Sequence, residues 1–199
     1  LADFVIPADS GKKSVFGMFA ISVHKRSKAH VQGCSCPACS NAYEDMVSRT
    51  VRMTIAEAAS AWLDNVIRSG RLSDGGISLA DSVRIIKPAA GYSSCPDHTL
   101  KEDILTQLCG HVHMHDHAHD HAHGCTCGHC HGHENDLGIE LTDSYAMTPE
   151  SSICGLIFMH PQACYPEVRR ISQKQYDSYA ERREMNAETA RRFLGHLLK

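Results

Sequence analysis

The chain has 199 residues, of which 42% are hydrophobic and 22% charged, with a formal net charge of −3. This size and composition suit one globular domain, or part of a larger one, with a sizeable core. The mild acidity argues against a general nucleic-acid binder, and no apolar run approaches the ~20 residues of a membrane span, so neither nucleic acid nor membrane is expected as a partner.

In chain order, Leu1-Ala2-Asp3-Phe4 carries no basic stretch of the kind that opens a signal peptide. The missing initiating Met is read as the mark of a fragment or of a processed chain. Gly11 signals a turn before residues 15–23, which are rich in strand formers and read as a buried strand. Residues 24–39 are polar, contain Gly33 and Pro37, and read as a loop. The spacing predicts a helix over 41–69 with Tyr43, Met46, Val47, Thr50, Thr54, Ala58, Ala61, Trp62 and Val66 on one buried face, stopped by Gly70. Within it, Glu57 is either an exposed helix charge or a ligand contact. Residues 71–84 are turn-rich and lead through a brief helix or strand into the next loop; Asp81 there is a second candidate carboxylate.

Residues 85–99, Ile-Ile-Lys-Pro-Ala-Ala-Gly-Tyr-Ser-Ser-Cys-Pro-Asp-His-Thr, form the stretch around which the chain is organised. Pro88 and Pro96 restrict φ, and Gly91 permits backbone geometry closed to other residues. A stiff loop offering backbone polar groups, the Lys87 cation, the Tyr92 ring and the His98 imidazole suits a small polar ligand. It is also compatible with a purely structural turn.

Residues 100–108 read as a short helix with Thr99 as a candidate N-cap. From 109 to 136 runs a His/Cys-rich insertion, expected to be flexible because it has little to bury. It holds ten of the fifteen histidines. Residues 139–147 and 152–159 read as an antiparallel strand pair, and 168–171 as a further short strand. Ser172 with Gln175 makes a capping-box pattern opening a helix to about Met185, and Asn186 caps a last helix with Ala190, Phe193, Leu194 and Leu197 on one side. Strands and helices mix without a βαβ rhythm, which gives an α+β fold with a twisted, mainly antiparallel sheet flanked by helices.

The ordered set comprising Leu1-Ala2-Asp3-Phe4-Val5, Lys87-Pro88-Ala89-Ala90-Gly91-Tyr92, Gly138–Met147, Ser152–Pro161 and Tyr165 resembles the activation domain of cobalamin-dependent methionine synthase. The resemblance covers nearly the whole chain except the insertion. It implies a single activation-domain fragment over 1–199, lacking the N-terminal part of the domain, and a site for S-adenosylmethionine. On that resemblance, Lys87 meets the ligand carboxylate where the family usually has arginine, so a point charge stands in for a planar fork. Glu57 and Asp81 meet the ammonium and sulfonium. The backbone of Pro88, Ala89, Gly91 and Tyr92 meets adenine, and Tyr165, followed by Pro166, closes over the ligand. His98 is either an incidental turn residue or, by the resemblance, a residue facing the corrin ring. His160, at a strand end, reads as structural. The reaction implied is reductive methylation of cob(II)alamin, with cobalamin carried by a neighbouring domain of the same or a partner chain and an electron from flavodoxin or a flavoprotein reductase. The fragment alone is not expected to be a complete enzyme.

The insertion asks a separate question. His111, His113, His115, His117, His119, His121, His123, Cys125, Cys127, His129, Cys130, His131 and His133, with Cys34, Cys36 and Cys39, have the residue types that hold Zn²⁺, Ni²⁺ or Cu⁺. Two C-x-C-x-x-C triads, at 34–39 and 125–130, either share one zinc or form independent clusters. Such clusters favour a reduced, cytoplasmic setting over disulfides. A metal-buffering protein on a degenerate activation scaffold and a stand-alone reactivator of another corrinoid protein are the alternative functions.

Overall fold

The computed structural model describes residues 1–11, 14–24, 42–70, 79, 82–109, 114–115 and 137–199. In chain order the elements are β1 (Phe16–Ser22), α1 (Ala42–Arg68), β2 (Arg84–Ile86), α2 (Leu100–Cys109), β3 (Met114–His115), β4 (Glu140–Thr142), β5 (Met147–Thr148), β6 (Ser152–His160), α3 (Gln173–Arg182) and α4 (Ala187–Leu194), with short 3-10 turns at Ala2–Phe4, Ala8–Ser10 and Gly195–Leu197. The fold is α+β. One three-stranded sheet has the order β1-β6-β2 and another β3-β4-β5. No helix of the described residues is long and apolar enough to cross a membrane.

The chain divides into two compact units, Leu1–Phe19 with Leu79–His111 and Cys154–Lys199, and Ala20–Ser78 with Val112–Ile153. In the first unit β2 runs antiparallel to β6, with Arg84 opposite His160 and Ile86 opposite Phe158. Ile86, Phe158 and Ala163 form a buried cluster covered by Leu1, Phe4, Val5 and Leu156. Phe16 stacks on Phe158 at 6.3 Å between centroids. Ile104 and Leu105 of α2, and Ala190, Phe193, Leu194 and Leu197 at the C-terminus, are buried as the helical periodicity requires. The caps expected at Ser172 and Asn186 are present. Ser172 and Gln175 close a reciprocal capping box, and the Asn186 side chain accepts from the Thr189 N–H. α3 ends earlier than the expected Met185, at Arg182, because Glu184 turns to φ 52.

In the second unit α1 spans 27 residues free of Gly and Pro, with Glu44 and Asp45 in its first turn and Arg68 in its last. That charge order suits the helix dipole. Gly70, at φ 67, stops it. The Arg49 guanidinium pairs with the Glu150 carboxylate.

Four expectations are corrected. The buried stripe of α1 is not the large apolar one: Tyr43, Met46 and Val47 are exposed and Trp62 is 60% exposed, whereas Ala56, Ser60 and Ile67 are buried. Two of the three, Ala56 and Ser60, are small, so that stripe is invisible to a count of bulky side chains. Residues 139–147 are not one strand paired with 152–159. Tyr145, at φ 57, donates its N–H to Thr142 O and folds the segment into the β4–β5 hairpin, while β6 pairs in the other sheet. Residues 168–171 contribute a single bridge, Ile171 to Leu198, rather than a strand. β1 lies at a sheet edge and only Phe19 of it is buried, with Phe16 47% exposed.

Candidate functional site

The loop after β2 continues the ladder with β6. Ala90 N–H donates to Cys154 O, Leu156 N–H donates to Pro88 O, and Ala89 bridges to Gly155. The approach is so close that a Cβ on Gly155 would stand 2.5 Å from Pro88 O. Glycine inside an apolar strand is the sequence mark of such an approach. The loop then turns back on itself, Gly91 N–H donating to Cys95 O and Cys95 N–H to Tyr92 O, both at 2.8 Å. Gly91 takes φ +93, and a Cβ there would meet His98 Cε1 at 2.6 Å. Gly91 and His98 are thus in direct apposition.

The segment after β6 is fastened to this loop at two points. Lys87 N–H donates to the Tyr165 hydroxyl at 2.8 Å, and Val168 N–H donates to Ser93 O at 2.9 Å. Tyr165 and Tyr92 are each 56% exposed. The N–H groups of Ala90, Gly91 and Tyr92 are engaged by Cys154 O, Cys95 O and Ala89 O. A donor N–H serves one strong bond, whereas a carbonyl has a second lone pair, so the loop's remaining capacity for a ligand is weighted toward acceptance.

Beneath the loop lies a polar network that the sequence reading passed over. Asp97 is 2% exposed. Its Oδ1 accepts from the N–H and the hydroxyl of Thr99, at 2.8 and 2.7 Å, and its Oδ2 accepts from the Tyr179 hydroxyl at 2.8 Å. Arg183 reaches Asp97 Oδ2 at 3.4 Å and Asp103 at 2.6 Å. The Asp-x-Thr spacing ahead of a helix was the available signal, an Asx turn. The Thr99 side chain, expected as an N-cap, instead serves Asp97 and accepts from Arg183 Nη2. Burial, with the Asp97 charge and hydrogen bond, pushes the Tyr179 phenol up, so it stays a donor.

Lys101 is buried at 6% exposure, and its ammonium lies 3.2 Å from His98 Nδ1. Burial lowers the lysine's pKa. Burial, and next the Lys101 charge, lower that of His98, while Asp97 opposes. The Cys95 thiol is pushed up to about 11 by burial and then by Asp97, and Cys154 to about 12 by burial. Neither is a thiolate near neutral pH, which fits small buried residues rather than nucleophiles. His160 Nδ1 accepts from the Gln162 N–H at 3.1 Å, the backbone partner expected for a structural histidine.

Of the residues expected to form the site, Lys87, Pro88, Ala89, Gly91, Tyr92, His98, Tyr165 and Pro166 belong to the first unit. Glu57 is an exposed residue of α1, in the second. Asp81, Cys34, Cys36, Cys39 and the insertion's candidate ligands lie outside the described residues, apart from the backbone of His115 in β3. Among the described residues no three His, Cys, Asp or Glu side chains are grouped to hold a metal ion.

The sequence model of the vitamin B12 dependent methionine synthase activation domain matches residues 1–117 and 116–184. Among solved structures, a crystal structure described as the MetH reactivation domain bound to AdoHcy superposes with a TM-score of 0.65 at 26% identity. The match covers 99% of this chain and 55% of that one, so this chain spans about half the length of that relative.

Proposed function

We propose that this chain, which belongs to the family of vitamin B12 dependent methionine synthase activation domains, binds S-adenosylmethionine on the loop at 87–92 and acts as the reactivation part of a cobalamin-dependent methionine synthase, a methyltransferase. One observation carries the reading: the bond from Lys87 N–H to the Tyr165 hydroxyl, which ties an exposed aromatic ring to the start of the proline-stiffened loop.

The donor set fits such a ligand. Lys87 supplies a cation for the amino-acid carboxylate. The carbonyls of the 88–92 segment suit the exocyclic amine of adenine, and Tyr165 and Tyr92 offer ring faces. Glycine-rich phosphate-binding loops are absent from the sequence, which suits a ligand without phosphates. Glu57 and Asp81 are assigned to the ammonium and sulfonium on the family resemblance alone. His98 is assigned to the face turned toward the cobalamin of a neighbouring domain. When bound, S-adenosylmethionine supplies the methyl group for reductive methylation of cob(II)alamin, the electron coming from flavodoxin or a flavoprotein reductase. This chain's part is to bind, orient and shield the donor, in a reduced, cytoplasmic setting. S-adenosylhomocysteine tests the reading: in excess it raises the thermal midpoint of the full chain by mass action, and an unmoved midpoint at millimolar ligand counts against it.

A second proposal concerns metal. His24 Nε2 lies 2.7 Å from Leu137 O and 3.0 Å from Ser22 Oγ. The described residues bordering segments 25–41 and 116–136 are therefore hydrogen-bonded to each other. That supports a shared zinc that draws its four ligands from the two triads, Cys34, Cys36 and Cys39 with Cys125, Cys127 and Cys130, with the histidine tract as a buffering reservoir for Zn²⁺ or Ni²⁺. Zinc content in Cys36→Ser and in Cys127→Ser decides it: loss in both supports a shared ion, and loss in only one rejects it.

A further inference from the structure

We propose that Lys101 is a positioning residue for His98, holding its ring in the tautomer that carries hydrogen on Nε2 and presents Nε2–H as the donor of the site. The geometry stands on three contacts. Lys101 Nζ is 3.2 Å from His98 Nδ1. An ammonium has donors only, so Nδ1 must accept, and a neutral imidazole then bears its hydrogen on Nε2. Gly91 lies against the ring so closely that a Cβ there would stand 2.8 Å from Nδ1. The Phe193 ring packs at 6.1 Å between centroids, tilted by 35°. Loop, α2 and α4 thus each bound the imidazole, and α2 contributes the hydrogen bond.

The charge environment acts in the same sense. Burial, the Lys101 ammonium and His196 of the C-terminal turn disfavour the imidazolium, and the Asp97 carboxylate of the same loop favours it. Arg192 of α4 lies over the Phe193 ring, 5.3 Å from its centroid. Asp97 opposes this arrangement without overcoming it: burial and Lys101 outweigh it, and its carboxylate already faces the Arg183 guanidinium, 3.4 Å from Oδ2. Lys101 is itself 6% exposed, which is costly for a lysine whose only task is solubility. A buried cation that fixes an imidazole is a device for keeping the ring neutral and directional across the physiological range. The value of that device to methyl transfer rests on the S-adenosylmethionine reading above, whereas the tautomer assignment does not.

The test is long-range ¹H–¹⁵N correlation on the full chain labelled with [¹⁵N]histidine, the His98 signals being identified by their loss in His98→Asn. The expected spectrum shows Nε2–H with Nδ1 unprotonated, and a titration midpoint below that of ordinary histidine. Lys101→Met is expected to shift the midpoint upward and to mix the tautomers, and Lys101→Arg to restore the wild-type pattern. Where Lys101→Met fails to fold, Lys101→Leu removes both the charge and the donor. A wild-type ring protonated on Nδ1, or a midpoint and tautomer unchanged in both neutral variants, overturns the proposal. S-adenosylmethionine binding, measured separately on the same samples, can fail without touching that outcome.

Discussion

The Tyr179 hydroxyl donates to Asp97 Oδ2 at 2.8 Å, so α3 is bonded to the turn that ends the loop at 85–99. The acceptor is buried and charged, so losing one donor leaves desolvated charge behind. Tyr179→Phe is expected to cost about 1–3 kcal/mol. Urea unfolding checks this as a lower midpoint at unchanged m-value. An unchanged midpoint would mean that Thr99 and Arg183 already satisfy Asp97.

Gly155→Ala should destabilise the first unit, because the added Cβ would sit 2.5 Å from a backbone oxygen, Pro88 O, that has no flexible side chain to yield. Overpacking of this kind costs about 1–3 kcal/mol. Gly91→Ala adds a φ of +93 and a 2.6 Å approach to His98, so it should lower the thermal midpoint and also displace the imidazole. Thermal unfolding and the His98 NMR signals measure the two effects separately.

His98 contributes a pH dependence whose sign follows from its folded-state pKa lying below the ordinary 6.5. A depressed pKa gives stability that is fully present above the unfolded value and is lost as pH falls through the folded one. Stability should therefore decline on acidification below 6.5 more steeply in wild type than in His98→Asn. The comparison cancels the titration of the insertion's histidines, which both proteins share. Denaturant midpoints from neutral to mildly acid pH provide the readout, and parallel curves would refute the sign.

Alkylation should separate three cysteines of the first unit, Cys95, Cys154 and Cys164. Cys164 is exposed, whereas Cys95 and Cys154 are buried with thiols pushed up to about 11 and about 12. Iodoacetamide at neutral pH should label Cys164 in the native protein, and Cys95 and Cys154 only after unfolding. Peptide mass spectrometry checks the order.

Where a local rule decides the structure, the sequence was legible. Ser172-x-x-Gln175 and Asn186 signalled their helix starts, Gly70 the end of α1, and Phe193, Leu194 and Leu197 the buried C-terminal face. Where tertiary geometry decides, it was not. Tyr145 in a left-handed conformation split residues 139–147 into a hairpin, although tyrosine carries no turn signal of the glycine kind. The inward stripe of α1, Ala56, Ser60 and Ile67, is quieter than the exposed stripe holding Tyr43 and Trp62. The prolines and glycine of the loop at 85–99 marked its turn, and the Tyr165 hydroxyl accepts from Lys87 N–H across 78 residues of sequence. The burial of Asp97, a residue that reads as turn chemistry beside Pro96, and of Lys101 was not legible, because a buried charge looks, in a sequence, like any other polar residue beside a turn.

Isothermal titration of the full chain with S-adenosylmethionine measures whether the loop at 87–92 binds that ligand. A saturable heat with one site per chain is expected, weakened at least tenfold, about 1.4 kcal/mol, in Lys87→Ala and in Tyr165→Ala. Absence of heat in a folded wild-type chain, or equal affinity in wild type and both variants, would contradict it.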